Sequence, residues 1–182
     1  MEDALQVVVE MTESIWQRFR RDLEDMTPEE VDWRPLPQAN SINLIVRHLA
    51  IEAEWHRASL EHGAPMPVEA TEGLLREIDR VPVDFERNLD ALEKAYAAFL
   101  TALRSTTLHG LQQRTEAAFQ GWPSRTAHSL GFHQAMHLAR HWGQICTIRN
   151  LYRKTRGEPA RFFPDNPTFP KSGPSEKTPA GG

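Results

Sequence analysis

The chain has eight histidines, and three of them have a spacing at which a consecutive pair could bind a metal ion. His133, His137 and His141 follow one another at steps of four residues. On an α-helix such steps place side chains on one face, about 6 Å apart along the axis. Two imidazoles at this spacing can bind one small cation, as they do in helical zinc sites. The spacing indicates a metal site, although hydrogen-bonded histidines without a metal would give the same pattern.

The outer two of these histidines cannot bind the same ion. His133 and His141 would be separated by about 12 Å of helix rise, whereas metal–nitrogen bonds are about 2 Å long. One consecutive pair can bind, and spacing does not decide between His133 with His137 and His137 with His141. A third ligand must then come from another helix.

His48 is the candidate for that third ligand. It lies beside an apolar helical stripe that includes Ile45 and Leu49, so we expect it to face the interior of the protein or its margin. His56, eight residues further along, is the alternative on the same helix and lies nearer its polar end.

Two polar residues are spaced to assist these histidines. Glu52 follows His48 by four residues and Gln144 follows His141 by three, so either could orient a ligand or accept a proton. Ordinary solvated residues would show the same spacing. Cys146 lies in an apolar stretch of the same segment as His141, and we expect a buried, unreactive thiol.

Four helices must position these residues. Apolar residues recur at three- and four-residue steps in segments that we delimit at about 2–26, 42–62, 83–105 and 124–156. Alternating β-strand patterns are nearly absent. The sequence therefore predicts an all-α protein, a four-helix bundle.

The connections between these helices are long, about 14, 20 and 18 residues, whereas tight antiparallel neighbours usually need two to eight. Connections of this length permit crossovers and often meet a substrate. Trp33, Arg34 and Trp122 are candidate pocket residues on this ground.

The C-terminal segment has a different composition. Six of the thirteen prolines follow Arg156, so we divide the chain into a bundle of residues 1–157 and a Pro-rich extended tail of residues 158–182. The stretch ARFFPDNPTFP is predicted to lie on the bundle as a strap, with a plain extended linker as the alternative. The last ten residues are predicted to be disordered.

Composition narrows the classes of function. The net charge of −4 gives no reason to expect nucleic-acid binding, and no stretch is apolar enough for a membrane span. A single cysteine excludes an intrachain disulfide and fits a reducing compartment. The N-terminal residues lack the pattern of a signal peptide. We therefore expect a cytoplasmic protein.

Two histidine segments resemble the DinB-like family, also called DinB/YfiT-like. They are MTPEEVDWRPLPQANSINLIVRHLAIEAEW at 26–55 and HLARHWGQICTIRNLY at 137–152, where the second is similar to the family's H-x-x-x-H-x-G-Q-I segment. The tail stretch ARFFPDNPTFP is similar to that of some bacterial members. The resemblance covers most of the chain and implies a four-helix bundle, often described as up-up-down-down, with a three-histidine metal site.

The resemblance assigns the ligands residue by residue. It implies that His48, His137 and His141 bind the metal, and it leaves His133 as an extra histidine one turn away. Leu138 stands where many relatives carry an acidic or polar residue, so we do not expect a base at that position.

The resemblance also implies a function. The family binds a divalent metal ion, commonly nickel or zinc, and often dimerises, so we expect a homodimer. Its members include transferases that use a low-molecular-weight thiol such as mycothiol or bacillithiol. We therefore expect a metal-dependent transferase or hydrolase acting on a small molecule, with a non-catalytic metal-binding or stress-related helical dimer module as the alternative.

Overall fold

The computed structural model describes residues 2–64, 84–118 and 129–162, and within these ranges the protein is helical with no strand. This confirms the predicted all-α fold class. The helices are α1 Glu2–Arg21, α2 Pro28–Asp32, α3 Ile42–His62, α4 Phe85–Ser105, α5 Leu108–Ala118 and α6 Ser129–Thr155. The four long helices α1, α3, α4 and α6 correspond to the four predicted ones.

Helices α3 and α4 are parallel neighbours. The amide of Asn88 donates to Asn43 Oδ1 near the start of both helices, at 2.6 Å. Further along both helices, the rings of His56 and Phe99 pack edge to face. The two contacts therefore show that α4 runs in the same direction as α3.

Helix α1 runs antiparallel to α4. Arg20, at the end of α1, pairs with Glu93 in the first half of α4. Glu13, earlier in α1, pairs with Arg104 at the end of α4. The two ion pairs thus fix opposite directions for the two helices.

Helix α6 runs parallel to α1. The indole of Trp142 donates to Asp22 just after α1, whereas Gly131 at the start of α6 lies against Val8 in the first half of α1. The four long helices therefore run up, down, down and up in chain order. The up-up-down-down order was wrong, because α1 and α3 are antiparallel and α3 and α4 are parallel.

Local signals set the ends of α3. The side chain of Ser41 accepts a hydrogen bond from Leu44 N at the first turn, and Gly63 ends the helix in the left-handed region at φ 68°. The helix therefore has the predicted bounds, 42 and 62, because serine caps orphan N–H groups and glycine adopts positive φ without strain.

Two elements differ from the predicted ones. Helix α1 ends at Arg21 instead of residue 26, although Leu23 beyond it is still buried. Thr27 then caps the short helix α2, whose first residue is Pro28. Helix α5 lies within the third connection, where no helix was predicted. The predicted start of the last helix, at 124, lies outside the described residues.

The core is apolar and draws on all four long helices. Fully buried large side chains include Phe19, Ile42, Leu49, Leu92, Phe99 and Leu138. None of the helices within the described ranges has the length and apolar character needed to cross a membrane.

The first residues of the predicted strap contact the bundle. Asn150 Oδ1 accepts hydrogen bonds from the backbone N–H groups of Arg161 and Phe162, and its amide donates to the Phe162 carbonyl. Arg161 also pairs with Asp25, at 2.7 Å. The rest of the predicted strap lies beyond the described residues.

Candidate metal centre

The predicted ligands lie where α3 and α6 cross. His48 stands in the first half of α3 beside the buried residue Leu49, and His137 and His141 stand one turn apart in α6 beside the buried residue Leu138. Apolar packing of these neighbours turns the three imidazoles toward one another between the two helices.

The three Nε2 atoms converge at close range. His137 Nε2 lies 3.0 Å from His48 Nε2 and 3.0 Å from His141 Nε2. All three candidate ligand atoms lie within 4.8 Å of one another. Nitrogens on one tetrahedral zinc ion, at about 2.0–2.1 Å from the metal, are about 3.3 Å apart. The two separations at His137 Nε2 are therefore close to those of a tetrahedral metal site.

Hydrogen bonding alone does not explain this arrangement. A neutral imidazole has one N–H donor and one acceptor nitrogen, so His137 Nε2 has either one hydrogen or one lone pair. It cannot form two good hydrogen bonds, one to each neighbouring Nε2 atom. A cation bound by three lone pairs would satisfy all three nitrogens together.

The surroundings keep these imidazoles neutral. Burial, and secondarily the nearby His141, lowers the pKa of His48 to about 4. Burial, and then His141 and His48, lowers the pKa of His137 still further below its ordinary value. Neutral imidazoles have the free lone pairs that metal binding requires.

Gln144 contacts the ligand set as expected. His141 Nδ1–H donates to Gln144 Oε1 at 2.7 Å, which leaves the lone pair of His141 on Nε2, facing the other two histidines. His137 Nδ1 is buried and has no hydrogen-bond partner among the described residues.

His56 and His133, the alternative ligands, form a separate pair. His56 Nδ1–H donates to the carbonyl oxygen of Glu52 at 2.7 Å, so His56 Nε2 is the acceptor for His133 Nδ1–H at 2.8 Å. Their rings stack with centroids 5.0 Å apart. Of the described residues, only His48, His137 and His141 form a group with metal-binding spacing.

A sequence model of the DinB superfamily matches residues 11–145, which contain all three of these histidines. The chain belongs to the DinB superfamily. No curated protein and no solved structure gives a significant match. In this DinB-superfamily chain, the three-histidine group could bind a metal ion, and the match ends before the Pro-rich tail.

Glu52 lies beside the second histidine pair. Its carboxylate is buried, and burial raises its pKa to about 7. One carboxylate oxygen lies 3.9 Å from His56 Nδ1, which is beyond hydrogen-bonding distance. Its predicted role in orienting a ligand stays a prediction.

An open cavity of about 440 Å³ lies beside the three-histidine group of this DinB-superfamily chain, and none of the three histidines lines it. Its wall includes Gln144, the partner of His141, and Ile45, one turn before His48. Arg140 also lines it and was not predicted from the sequence. Its position between His137 and His141 was the available signal.

The other predicted residues occupy separate places. Trp33 packs against Tyr152 with ring centroids 5.7 Å apart, and Arg34 donates to the Ala39 carbonyl. Trp122 lies outside the described residues. Cys146 is buried as expected, and burial, with a smaller effect of Asp22, raises the pKa of its thiol to about 11.

Proposed function

We propose that this DinB-superfamily chain is a metal-dependent enzyme that binds one divalent ion through His48, His137 and His141. The observation that carries the proposal is the pair of 3.0 Å contacts at His137 Nε2. These contacts bring three neutral imidazole nitrogens within 4.8 Å of one another, an arrangement that hydrogen bonding alone would not produce.

The donor set suits nickel or zinc. Imidazole nitrogens bind both of these ions well, and they also accept copper and iron. Three neutral ligands leave the charge of a divalent ion uncompensated, and a tetrahedral ion would keep a fourth position. Catalytic zinc sites share this feature, whereas structural sites have four protein ligands.

The protein's own residues would orient and surround this site. Gln144 fixes the tautomer of His141, and the apolar neighbours of the histidines fix their ring positions. When bound, the ion would supply a Lewis acid that lowers the pKa of a thiol or a water molecule. The adjacent cavity is large enough to admit a small molecule beside the histidines.

We propose transfer of a low-molecular-weight thiol to an electrophile, or hydrolysis of a small substrate, as the reaction. In the transfer, a sulfur–carbon bond forms at the electrophile, the leaving group departs with the bonding electron pair, and the thiol loses its proton. The position of the cavity beside Gln144, the partner of His141, supports this reading over a metal-binding module without turnover. The homodimeric state and the cytoplasmic location stay predictions.

The experiment is a turnover screen with a metal-dependence control. The purified full chain, loaded with zinc or nickel, is incubated with mycothiol, bacillithiol or simple thiols and a panel of electrophiles and esters. We expect the protein to consume one of these substrates, and we expect this turnover to stop after chelation, to return when metal is added back, and to be absent in His137→Ala. The variant His62→Ala, which removes an exposed histidine at the end of α3, is the matched control. A metal-loaded protein that turns over none of these substrates would favour the non-catalytic module.

A further inference from the structure

The cavity next to the three histidines has a mixed wall. Helix α6 forms one side and the segment between α2 and α3 forms another, with Asn40 and Thr147 as neutral polar groups and Ile148 as an apolar one. Gln144 belongs both to this wall and to the contacts of His141. A molecule in the cavity would therefore lie one side chain away from the proposed metal ligands.

Gly143 leaves the cavity open. It lies in the middle of α6, where glycine is less favourable than alanine because it gains more freedom on unfolding. No close neighbour requires the missing side chain, since an added Cβ would meet no atom within 4 Å. The space that a larger side chain would fill is the cavity itself.

Arg140 gives the cavity its charge. Among the described residues that line the cavity, it is the only charged one. Its guanidinium forms no hydrogen bond or ion pair with any residue in the described ranges, and its side chain is exposed. A planar guanidinium can bind a carboxylate through two parallel hydrogen bonds.

We propose that this cavity binds a small organic molecule whose carboxylate pairs with Arg140 while its reactive end extends past Gln144 toward His141. The inference rests on the proposed function, because it names the substrate class for the same site. A single guanidinium matches one negative charge, and the apolar part of the wall, including Ile45 and Ile148, suits a short carbon chain.

The test uses two thiols of the same length, mercaptopropionate and its uncharged amide. Binding to the cobalt-loaded full chain is followed by the sulfur-to-cobalt charge-transfer absorption. Binding to the metal-free chain is followed separately by the backbone amide signals of Gly143 and Thr147. We expect the carboxylate to bind about tenfold more tightly than the amide, as a charge-assisted contact would give.

Two variants and one control identify the groups responsible. Arg140→Gln should bind the two thiols equally, whereas Arg87→Gln removes an exposed charge from α4 and should keep the preference. Gly143→Leu should fill the cavity and weaken the binding of both thiols about tenfold, because it removes the space for the carbon chain. The metal content should be retained and the thermal stability should not fall, since leucine favours the helix more than glycine does.

The outcomes separate this inference from the proposed function. Equal binding of the two thiols by the unmodified chain, or an unchanged preference in Arg140→Gln, would overturn the carboxylate site even if the charge-transfer band forms. If no band forms with either thiol, the thiol chemistry fails. The carboxylate site is then tested by the Gly143 amide signal of the metal-free chain. A shift on adding mercaptopropionate that is lost in Arg140→Gln would support the site, and an equal shift in Arg140→Gln would overturn it.

Discussion

At the scale of single residues, His137 is the centre of the histidine group. Its Nε2 atom makes both short contacts, whereas His48 and His141 each make one of these contacts. His133, one turn earlier on α6, turns to His56 instead. His133 and His137 are therefore neighbours on α6 that contact different histidines of α3.

Alanine variants should divide the histidines into two classes. His48→Ala, His137→Ala and His141→Ala should each lower zinc affinity by more than about 100-fold, because loss of a ligand exceeds the effect of losing an outer contact. His56→Ala and His133→Ala should change it far less. Calorimetric titration with zinc measures these values, and equal losses at His133 and His141 would contradict the assignment.

Buried titratable residues should make the metal-free protein sensitive to acid. Burial, with His133 as a smaller cause, lowers the pKa of His56 to about 3, and the pKa of His48 is lowered to about 4. As pH falls below about 6.5, the unfolded chain binds protons at these histidines that the folded chain refuses. Glu52 acts in the opposite direction because its pKa is raised in the folded state.

The effect of the buried histidines on the free energy of unfolding should exceed that of Glu52. The pKa is lowered in His48, His56 and also His137, whereas Glu52 is a single carboxyl group. We expect the free energy of unfolding to fall by at least about 1 kcal/mol between about pH 7 and about pH 5.5, as measured by urea denaturation after chelation. His56→Gln should reduce this fall by about 1 kcal/mol, because it removes one of the buried imidazoles. A free energy of unfolding that rises on acidification would mean that Glu52 outweighs the histidines, contrary to this expectation.

At the scale of elements, the ends of helices were predictable where capping residues mark them. Ser41 and Gly63 cap α3 at the predicted bounds, 42 and 62. The apolar pattern after Arg21 indicated burial correctly, since Leu23 is buried, but it did not indicate helix. A periodic apolar pattern shows which side chains are buried. A turn that follows a helix can bury its apolar residues on the same side for a few more positions.

Replacing two glycines of α6 by alanine should change the free energy of unfolding in opposite directions. Gly143→Ala should raise the free energy of unfolding by about 1 kcal/mol, because its Cβ would meet open space and alanine favours the helix. Gly131→Ala should lower it by about 1–3 kcal/mol, because its Cβ would lie 2.6 Å from Cγ1 of the buried Val8. Thermal and urea unfolding measure both changes. Destabilisation by Gly143→Ala would contradict the open space beside this residue.

At the scale of the whole molecule, a buried ion pair joins the segment after α1 to α6. The guanidinium of Arg149 is 1% exposed and binds Glu30 of α2 at 2.7 Å. It also donates to the backbone carbonyls of Asp22 and Glu24. The pair thus holds the turn between α1 and α2 against the last helix.

Removing one partner of this ion pair should destabilise the protein strongly. Arg149→Met leaves the Glu30 carboxylate buried without its counter-charge, which should cost about 3–5 kcal/mol of stability. The double variant Arg149→Met, Glu30→Leu should recover part of this loss because no charge stays buried. Urea denaturation compares the three proteins. If the single and double variants were equally destabilised, the backbone contacts of Arg149 would be the larger contribution.

The arrangement of the whole bundle explains what the sequence could not decide. Helical geometry limited the pair on the last helix to two choices, and only packing against α3 brings His48 opposite His137 and His141. The directions of the helices were also beyond local patterns, because they depend on how the long connections run. The pairing of His56 with His133 follows from the same antiparallel contact of α3 and α6.

The most direct test of the central claim is X-ray absorption spectroscopy of the full chain loaded with one equivalent of zinc. We expect three imidazole nitrogens at about 2.0–2.1 Å and one further light ligand. In His137→Ala the bound metal should be lost, while His62→Ala should give the unmodified spectrum. Absence of imidazole scattering, or an unchanged spectrum in His137→Ala, would contradict the three-histidine site.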